Sequence, residues 1–181
     1  MGEATAVART AAAGAAMATE PSARPTGPAL GLRLERPDQP EVLALIDELD
    51  AYQKPLYPPE SHHGIDLAAL LQPQVLFAVA RDPQGCAVGC GALVLGSTGQ
   101  GELKRMYLQP PWRGGGQAQA LLALLEMEGR ARGCHTFQLE TGIHQHAALA
   151  FYAAAGYRRR DPFGDYAPDP LSVFMEKVMA R

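Results

Sequence analysis

The alternation of hydrophobic and polar positions predicts the first elements of the chain. Leucine recurs at every second position from 30 to 34, which is typical of a half-buried strand. Apolar residues at helical spacing then predict a helix, and Asp38 with Glu41 three residues later predicts a capping box at its start. Three prolines make residues 52–64 a loop, which a short helix follows at about 65–71. The helical stripe consists of Val42, Leu45, Ile46 and Leu49.

The remainder of the chain alternates apolar strands with two further helices. The turn at 82–85 separates two of the strands, and Gly133 is placed as the C-cap of the longer helix. The predicted strands span 75–81, 87–96, 102–108, 136–140, 157–160 and 171–178, and the predicted helices span 117–132 and 145–155. The apolar side of the longer helix is assigned to Ala118, Leu121, Leu122, Leu125 and Met127. The order β-α-α-β-β-β-α-β-α-β-β predicts an α/β fold with a mixed sheet.

Residues 1–28 differ from the rest of the chain. Ten of them are alanine, and strong core-forming side chains are nearly absent. A helix over 4–18 would have little apolar surface to bury, so helix propensity alone makes it marginal. We therefore predict an Ala/Pro/Gly-rich mobile tail at 1–28 and one folded domain at 29–181.

Composition and charge exclude several classes of function. The 181 residues are 47% hydrophobic and 19% charged, which is the composition of one ordinary globular domain. A net charge of -3 lacks the basic footprint of a nucleic-acid-binding domain, and no apolar run reaches the roughly 18 residues of a membrane span. Three scattered cysteines do not form a disulfide framework. The sequence therefore predicts a cytoplasmic protein that binds neither nucleic acid nor membrane.

The segment 102–116, ELKRMYLQPPWRGGG, carries the strongest chemical signal. A strand runs into the glycines at 114–116, which open a helix and let a ligand approach the backbone closely. The first-turn N–H groups lack intrahelical partners and the helix dipole is positive there, so the turn predicts an anion site suited to a pyrophosphate. The Walker and GxGxxG patterns do not fit, because no Gly-Lys-Ser/Thr follows and residue 119 is glutamine.

Two separated motifs indicate a family. The stretch 113–118, RGGGQA, has the form (Q/R)xxGx(G/A), and the stretch 148–157, ALAFYAAAGY, has the form Axx(F/L)YxxxG(F/Y). Over residues 30–180 the chain resembles the GNAT superfamily of acyl-CoA-dependent N-acetyltransferases, and ELKRMYL, LETG and FGDYAPDPLSVFMEK are similar to a bacterial small-molecule branch. The resemblance implies a mixed, mostly antiparallel central sheet with splayed central strands and flanking helices.

The resemblance also implies acetyl-CoA as co-substrate and assigns residues to it. The pantetheine arm would extend the motif strand by pairing with its backbone, while first-turn amides and Arg113 would hold the pyrophosphate. Gln145, seven residues before the motif tyrosine, stands where the family often has Asn and would hydrogen-bond similarly. The implied contacts are Met106, Tyr107 and Leu108 for the arm, and Arg113, Gly114, Gly115, Gly116, Gln117, Ala118 and Gln119 for the pyrophosphate.

Proton transfer is assigned to a tyrosine and to one of two glutamates. The resemblance implies that Tyr152 protonates the departing CoA thiolate, which a phenol can do when it is hydrogen-bonded to the sulfur. The acceptor amine must lose a proton, so a carboxylate or a water chain is expected near the splayed strands. Glu102 stands where histone-acetylating members carry their base, and Glu140 where ribosomal-protein-acetylating members carry theirs. We favour Glu102 slightly, and Glu140 stays open as an alternative base or acceptor ligand.

The acceptor side contains histidines, but no metal site is predicted. Neither His62-His63 nor His144-x-His146 has a carboxylate or thiolate at the usual zinc-site spacing. In the family, the loop after the first helix covers the acceptor pocket, and Arg105 could bind an acceptor carboxylate. The candidate acceptor contacts are Tyr57, His62, His63, Arg105 and Tyr166.

These observations favour an enzyme that moves an acetyl group directly from acetyl-CoA to an amine. The expected acceptor is a small molecule or an amino-acid-like metabolite, and a homodimer is possible because similar proteins form dimers. Two alternatives stay open: a protein N-terminal or lysine acetyltransferase, and a non-catalytic CoA-binding sensor or interaction module. Fold alone does not decide between them.

Overall fold

The computed structural model describes residues 29–61 and 63–180; the predicted tail, His62 and Arg181 lie outside the described residues. The strands are β1 (Gly31–Leu34), β2 (Val75–Arg81), β3 (Ala87–Leu95), β4 (Gln100–Leu108), β5 (Thr136–Gly142), β6 (Arg158–Arg160) and β7 (Ser172–Val178). The helices are α1 (Pro40–Gln53), α2 (Leu67–Leu70), α3 (Gln117–Ala131) and α4 (His146–Ala154). The predicted order of elements is confirmed.

In the part of the chain described, no helix is both long and apolar enough to cross a membrane.

The strands form one seven-stranded sheet in the order β1-β2-β3-β4-β5-β7-β6. Neighbouring strands are antiparallel except β4 and β5, which run parallel. The parallel pairing is short, from Gln100 opposite Thr136 to Leu103 opposite Leu139. Beyond this point the two strands separate. The expected mixed, mostly antiparallel sheet with splayed central strands is therefore confirmed.

Helices cover both faces of the sheet and bury its apolar side chains. On one face, Leu121 and Leu125 of α3 pack in a cluster with Phe137 and Leu139 of β5. On the other face, α1 packs on β2 and β3 through Val42, Leu45, Phe77, Val79 and Cys90. Burying one such aliphatic side chain stabilises the fold by about 1.5–3 kcal/mol, so these contacts fix α1 and α3 on the sheet.

The apolar side of α3 differs from the prediction at one position. Met127 is 57% exposed, whereas its neighbour Glu126 is 7% exposed. The Glu126 carboxylate accepts hydrogen bonds from the Tyr157 hydroxyl at 2.8 Å and from Lys177 Nζ at 2.8 Å. A buried charge is tolerated when it is paired and hydrogen-bonded in this way. Placing Met127 on the apolar side was therefore wrong.

The predicted capping box at the start of α1 is also wrong. The helix begins at Pro40, and its N-cap residue Gln39 makes no side-chain capping bond within the described residues. Asp38 pairs instead with the arginine two positions earlier at 2.6 Å, and Glu41 pairs with Arg81 at 2.6 Å. Proline at the first helical position has a preset φ and needs no N–H partner. That proline is the start signal that the prediction overlooked.

The packing of α3 generates a stability prediction. Leu125→Ala removes a side chain with 0% exposure from the cluster shared with β5, so we expect the free energy of unfolding to fall by about 2–5 kcal/mol. Met127→Ala, two positions along the same helix, is the matched control and should change it by less than about 0.5 kcal/mol. Urea unfolding of both variants measures the difference, and equal losses would contradict this account of the core.

Candidate active site

A cavity of about 550 Å³ opens where β4 and β5 separate. Its walls come from α1, residues 54–61 and 63–66, the two strands and the start of α4. Lys104 and Glu140 directly follow the last paired residues, Leu103 and Leu139, and both line the cavity. Side chains alternate along a strand, so this lysine and this glutamate project to the face opposite the leucines, which join the α3 core. The sheet therefore delivers charged groups into the opening between its central strands.

The strand β4 contains a bulge that the sequence analysis did not predict. Lys104 lies opposite Ala92 and Tyr107 opposite Cys90, so two residues of β4, Arg105 and Met106, face the single Gly91 of β3. A bulge of this kind bends a strand and changes which residues point to each side. The bulge, defined here as residues 105–106, lies at the cavity wall.

The glycine turn after β4 has the geometry of an anion site. Gly114 and Gly116 have φ of 83° and 85°, and a side chain added at position 114 would meet no atom within 4 Å. The first hydrogen bond within α3 runs from Ala120 N to Gly116 O. The N–H groups of residues 117–119 therefore have no carbonyl partner inside the helix. Open space above a glycine and free first-turn amides fit the pyrophosphate of CoA.

Side chains beside this turn support the same assignment. Gln117 is 7% exposed, and its Oε1 is buried without a hydrogen-bond partner among the residues described. Arg113 Nε donates to Leu108 O at 2.8 Å, and its guanidinium carbon lies 5.5 Å from the centre of the Tyr107 ring. The arginine is thereby fixed between the end of β4 and the start of α3. These residues fit the CoA contacts that the resemblance implied.

Tyr152 reaches the cavity from α4. The residue is 7% exposed and its ring is held edge-on between Phe151 and Tyr157, with centroid distances of 5.0 and 5.5 Å. Burial raises the pKa of the phenol above its usual value. The hydroxyl therefore keeps its proton through neutral pH, which suits a proton donor rather than a base.

The two candidate glutamates have different surroundings. Glu140 is half-buried in the cavity wall and accepts one hydrogen bond, from Ser172 Oγ at 2.7 Å. Burial raises the pKa of the Glu140 carboxyl, opposed by the Ser172 hydrogen bond and by the charges of His63 and Lys104. A raised pKa moves a carboxylate toward the range in which it can accept a proton from an amine.

Glu102 is engaged by two other side chains. It accepts a hydrogen bond from the Tyr166 hydroxyl at 2.6 Å, and Lys104 Nζ lies 2.8 Å from the same carboxylate. Lys104 also donates to the Tyr166 hydroxyl and to His63 O, at 2.6 and 3.2 Å. Burial and the neighbouring Glu102 raise the pKa of Tyr166. Glu102 is thus part of a bonded cluster beside the cavity, and Tyr166 joins this cluster.

Tyr57 attaches residues 54–61 to the residues just before α4. Its hydroxyl accepts a hydrogen bond from His144 N at 3.0 Å, and its ring stacks on the His144 ring at 5.6 Å. The phenol lies so close to Gly142 that a side chain there would overlap it. Tyr57 and Gln145 both line the cavity, so the fastening closes one side of it.

His63 lines another part of the wall, whereas His62 lies outside the described residues. The His63 ring meets the Tyr166 ring edge-on at 5.1 Å. Its Nε2 is buried and stands 3.8 Å from Asp169, beyond hydrogen-bond distance. His63 therefore joins the segment before α2 to the connection between β6 and β7.

Arg105, expected as a ligand for an acceptor carboxylate, is already paired at the cavity wall. Its guanidinium forms an ion pair with Asp50 and donates to Ile65 O at 2.7 and 3.2 Å. Sequence reasoning missed Asp50, Ser172 and Asp169 because they reach the site through long-range contacts with no local motif. The described residues contain no group of three or more His, Cys, Asp or Glu side chains able to hold a metal ion.

Known proteins resemble this chain in sequence and in fold. The chain is 47% identical over 153 residues to a protein of Azospirillum brasilense named IAA acetyltransferase, covering 84% of this chain and 99% of that protein. A Klebsiella pneumoniae structure, solved as a candidate acyl-CoA N-acyltransferase, is 46% identical with a TM-score of 0.72 and covers 83% of this chain and 98% of its own.

A second solved structure has the same fold and contains coenzyme A. The PaiA N-acetyltransferase of Thermoplasma acidophilum, solved in complex with coenzyme A, has a TM-score of 0.63 at 17% identity, over 83% of this chain and 99% of its own. At this identity the likeness concerns the fold alone. The present chain therefore shares its fold with a protein solved in complex with coenzyme A.

The glycine turn generates a binding prediction with a built-in control. Gly114→Ala and Gly133→Ala each place a side chain at a φ near 84°, with no atom within 4 Å, so each should cost about 1–2 kcal/mol of stability. Only Gly114→Ala intrudes on the anion site, so we expect it alone to weaken acetyl-CoA binding, by about tenfold in calorimetry. Equal affinities of the two variants would remove the turn from the CoA site.

A family model agrees with the geometry. The model described as the acetyltransferase (GNAT) family matches residues 42–157, which run from α1 through the glycine turn to the end of the second motif. This range contains both glutamates, the bulge and Tyr152. The chain belongs to the GNAT family of N-acetyltransferases and uses acetyl-CoA as its co-substrate.

Proposed function

We propose that the enzyme transfers the acetyl group directly to the amine of a small molecule or an amino-acid-like acceptor. The observation that carries this proposal is the cavity at the opening between β4 and β5, whose volume of about 550 Å³ lies within the range of small-molecule sites. The name of the Azospirillum relative, IAA acetyltransferase, supports an acceptor of this class.

The fastening of the cavity wall supports a small acceptor over a protein. An extended peptide needs an open groove in which several residues can lie. Here the wall is held to α4 by Tyr57 and packed on the connection between β6 and β7 by His63. Both attachments flank the cavity, which favours an acceptor small enough to enter it whole.

The chemistry requires two proton movements, and the surroundings favour Glu140 and Tyr152 for them. Acetyl-CoA supplies the acetyl group as a thioester. Glu140 accepts the proton that the acceptor nitrogen loses as it bonds to the acetyl carbon, because its carboxylate lines the cavity and has a raised pKa. Tyr152 gives its proton to the sulfur as the carbon–sulfur bond breaks, because its buried phenol stays protonated. We place Glu102 beside the reaction because Tyr166 and Lys104 engage its carboxylate.

The base assignment generates a pH prediction. Glu140→Gln should lower kcat by about 100-fold, the usual contribution of a general base. In the unchanged enzyme, kcat/KM should fall as the pH drops through the raised pKa of Glu140, because protonation removes the base. This acidic limb should disappear in the variant.

Glu102→Gln is the matched control for the base. It removes the other candidate carboxylate and should leave the acidic limb in place, with a smaller loss of kcat. If Glu102→Gln abolishes turnover and Glu140→Gln does not, the base is Glu102. Release of free CoA thiol provides the assay.

The acid assignment generates a second prediction and tests the function as a whole. Purified enzyme, acetyl-CoA and a panel of small amines and peptides should give thiol release with small amines. Tyr152→Phe should lower kcat at least about tenfold and leave KM for acetyl-CoA nearly unchanged. Tyr157→Phe, which loses a hydroxyl bonded to Glu126 away from the cavity, serves as control. Turnover of peptides alone would contradict the small-acceptor proposal.

A further inference from the structure

Arg105 holds an unusual backbone conformation at the bulge. Its φ is 55°, and it is the only residue other than glycine with positive φ among residues 29–61 and 63–180. It is the first of the two bulge residues that face Gly91. A bulge whose first residue is left-handed ordinarily carries glycine at this position, because a side chain disfavours the conformation. Contacts with other parts of the chain must therefore hold the backbone of Arg105 in this conformation.

The contacts of the guanidinium supply that restraint. Asp50 of α1 forms an ion pair with Nη1, and Ile65 O accepts from Nη2 and Nε. The side chain is 10% exposed, and a Cβ added at Gly64 would stand 3.1 Å from Nη2. The arginine is thus fixed from two directions, by α1 and by the segment before α2.

The bulge decides which backbone groups face the opening between the strands. Gln109 N donates a hydrogen bond to Val88 O, so the backbone N–H of residue 109 points toward β3. Backbone groups of successive strand residues point to opposite sides, so those of residue 107, two positions earlier, also point toward β3. Met106 and Leu108 then turn theirs to the other side, from which β5 has departed after Leu103. Leu108 O already accepts a hydrogen bond from Arg113 Nε there, so the groups left for a ligand are those of Met106 and the N–H of Leu108. Without the extra residue the alternation would shift by one, and residues 105 and 107 would face the opening instead.

This exposed strand edge suits the arm of acetyl-CoA. The edge runs from the cavity near Met106 toward the glycine turn, so it joins the acceptor site to the anion site. The pantetheine arm carries two amides, and an extended chain with amides can add to a free strand edge through main-chain hydrogen bonds. Its fit depends on which N–H and C=O groups the edge presents.

We propose that the Arg105–Asp50 ion pair is a positioning device for acetyl-CoA: it holds the bulge and thereby presents the backbone of Met106 and the N–H of Leu108 to the pantetheine arm. Arg105 acts through the conformation of β4 and touches no reacting atom. The inference rests on the proposed function only in that acetyl-CoA lies along this edge, and it does not depend on the acceptor.

The test compares two replacements of the same arginine. Arg105→Ala removes the ion pair and disfavours the left-handed conformation, so the Kd for acetyl-CoA should rise about tenfold. Arg105→Gly also removes the ion pair, but glycine adopts a φ of 55° unaided, so its Kd should stay within about threefold of the unchanged enzyme. Recovery by glycine separates a conformational role from a direct contact of the guanidinium.

A second ligand separates local from general damage. Adenosine 3′-phosphate 5′-diphosphate is CoA without its pantetheine arm, and its Kd should change less than about twofold in both variants. Lys54→Met is the matched control, because Lys54 is the other cation beside Asp50, at 3.7 Å, and does not hold the bulge. It should bind acetyl-CoA like the unchanged enzyme.

Three results would each overturn the proposal. The first is an unchanged Kd for acetyl-CoA in Arg105→Ala, and the second is an equal rise of that Kd in Arg105→Ala and Arg105→Gly. The third is an equal loss of affinity for acetyl-CoA and for adenosine 3′-phosphate 5′-diphosphate. If Arg105→Ala does not fold, Asp50→Asn tests the same ion pair, and adding Arg105→Gly to it should restore acetyl-CoA binding. Failure of the proposed function would show itself separately, as absence of acetyl-CoA binding or amine acetylation in the unchanged enzyme.

Discussion

The separation of β4 from β5 is the constraint on which the rest of the site depends. The two parallel strands pair only from Gln100 and Thr136 to Leu103 and Leu139. Where the pairing stops, a sheet interior becomes a cavity, and two strand edges offer hydrogen-bonding groups that a buried sheet would have satisfied. Packing keeps the strands in place, because the last paired leucines are held in the α3 core. The opening is thus built into the sheet itself.

Alternation along the strands gives the opening its charge, and the neighbours of each charge decide its chemistry. Glu102 lies within the paired part of β4, opposite Gln138, where Lys104 and Tyr166 engage it; Glu140 lies just beyond the paired part of β5, lines the cavity and accepts a hydrogen bond from the Ser172 hydroxyl. Burial disfavours the charged form of a carboxyl, and it raises the pKa of Glu140. The proposed base is therefore the glutamate that lines the cavity and has few bonded partners.

The sequence was sufficient for the elements and for the local motifs, because both depend on neighbouring residues. Apolar patterns and turn signals located the seven strands and four α-helices but not the short 3-10 helices, and the glycine turn and Tyr152 belong to contiguous segments. Features formed by distant residues were not predictable in this way. Tyr157 and Lys177 donate the hydrogen bonds that allow Glu126 to be buried, and the sequence of α3 does not indicate which distant residues these partners are. The bulge carries an arginine where its glycine signal would stand, so its position became visible only from the register of β3 and β4.

That arginine shows how the fold combines strain with function. A left-handed conformation for a residue with a side chain costs about 1–3 kcal/mol, and burying an ion pair stabilises a fold little. Glycine at 105 would relieve the strain, so stability alone gives no reason for Arg105. Arginine instead links the conformation of β4 to Asp50 of α1 and to the loop at Ile65, both of which line the cavity. The strand edge that faces the opening is thereby joined to two parts of the cavity wall through the contacts of a single side chain.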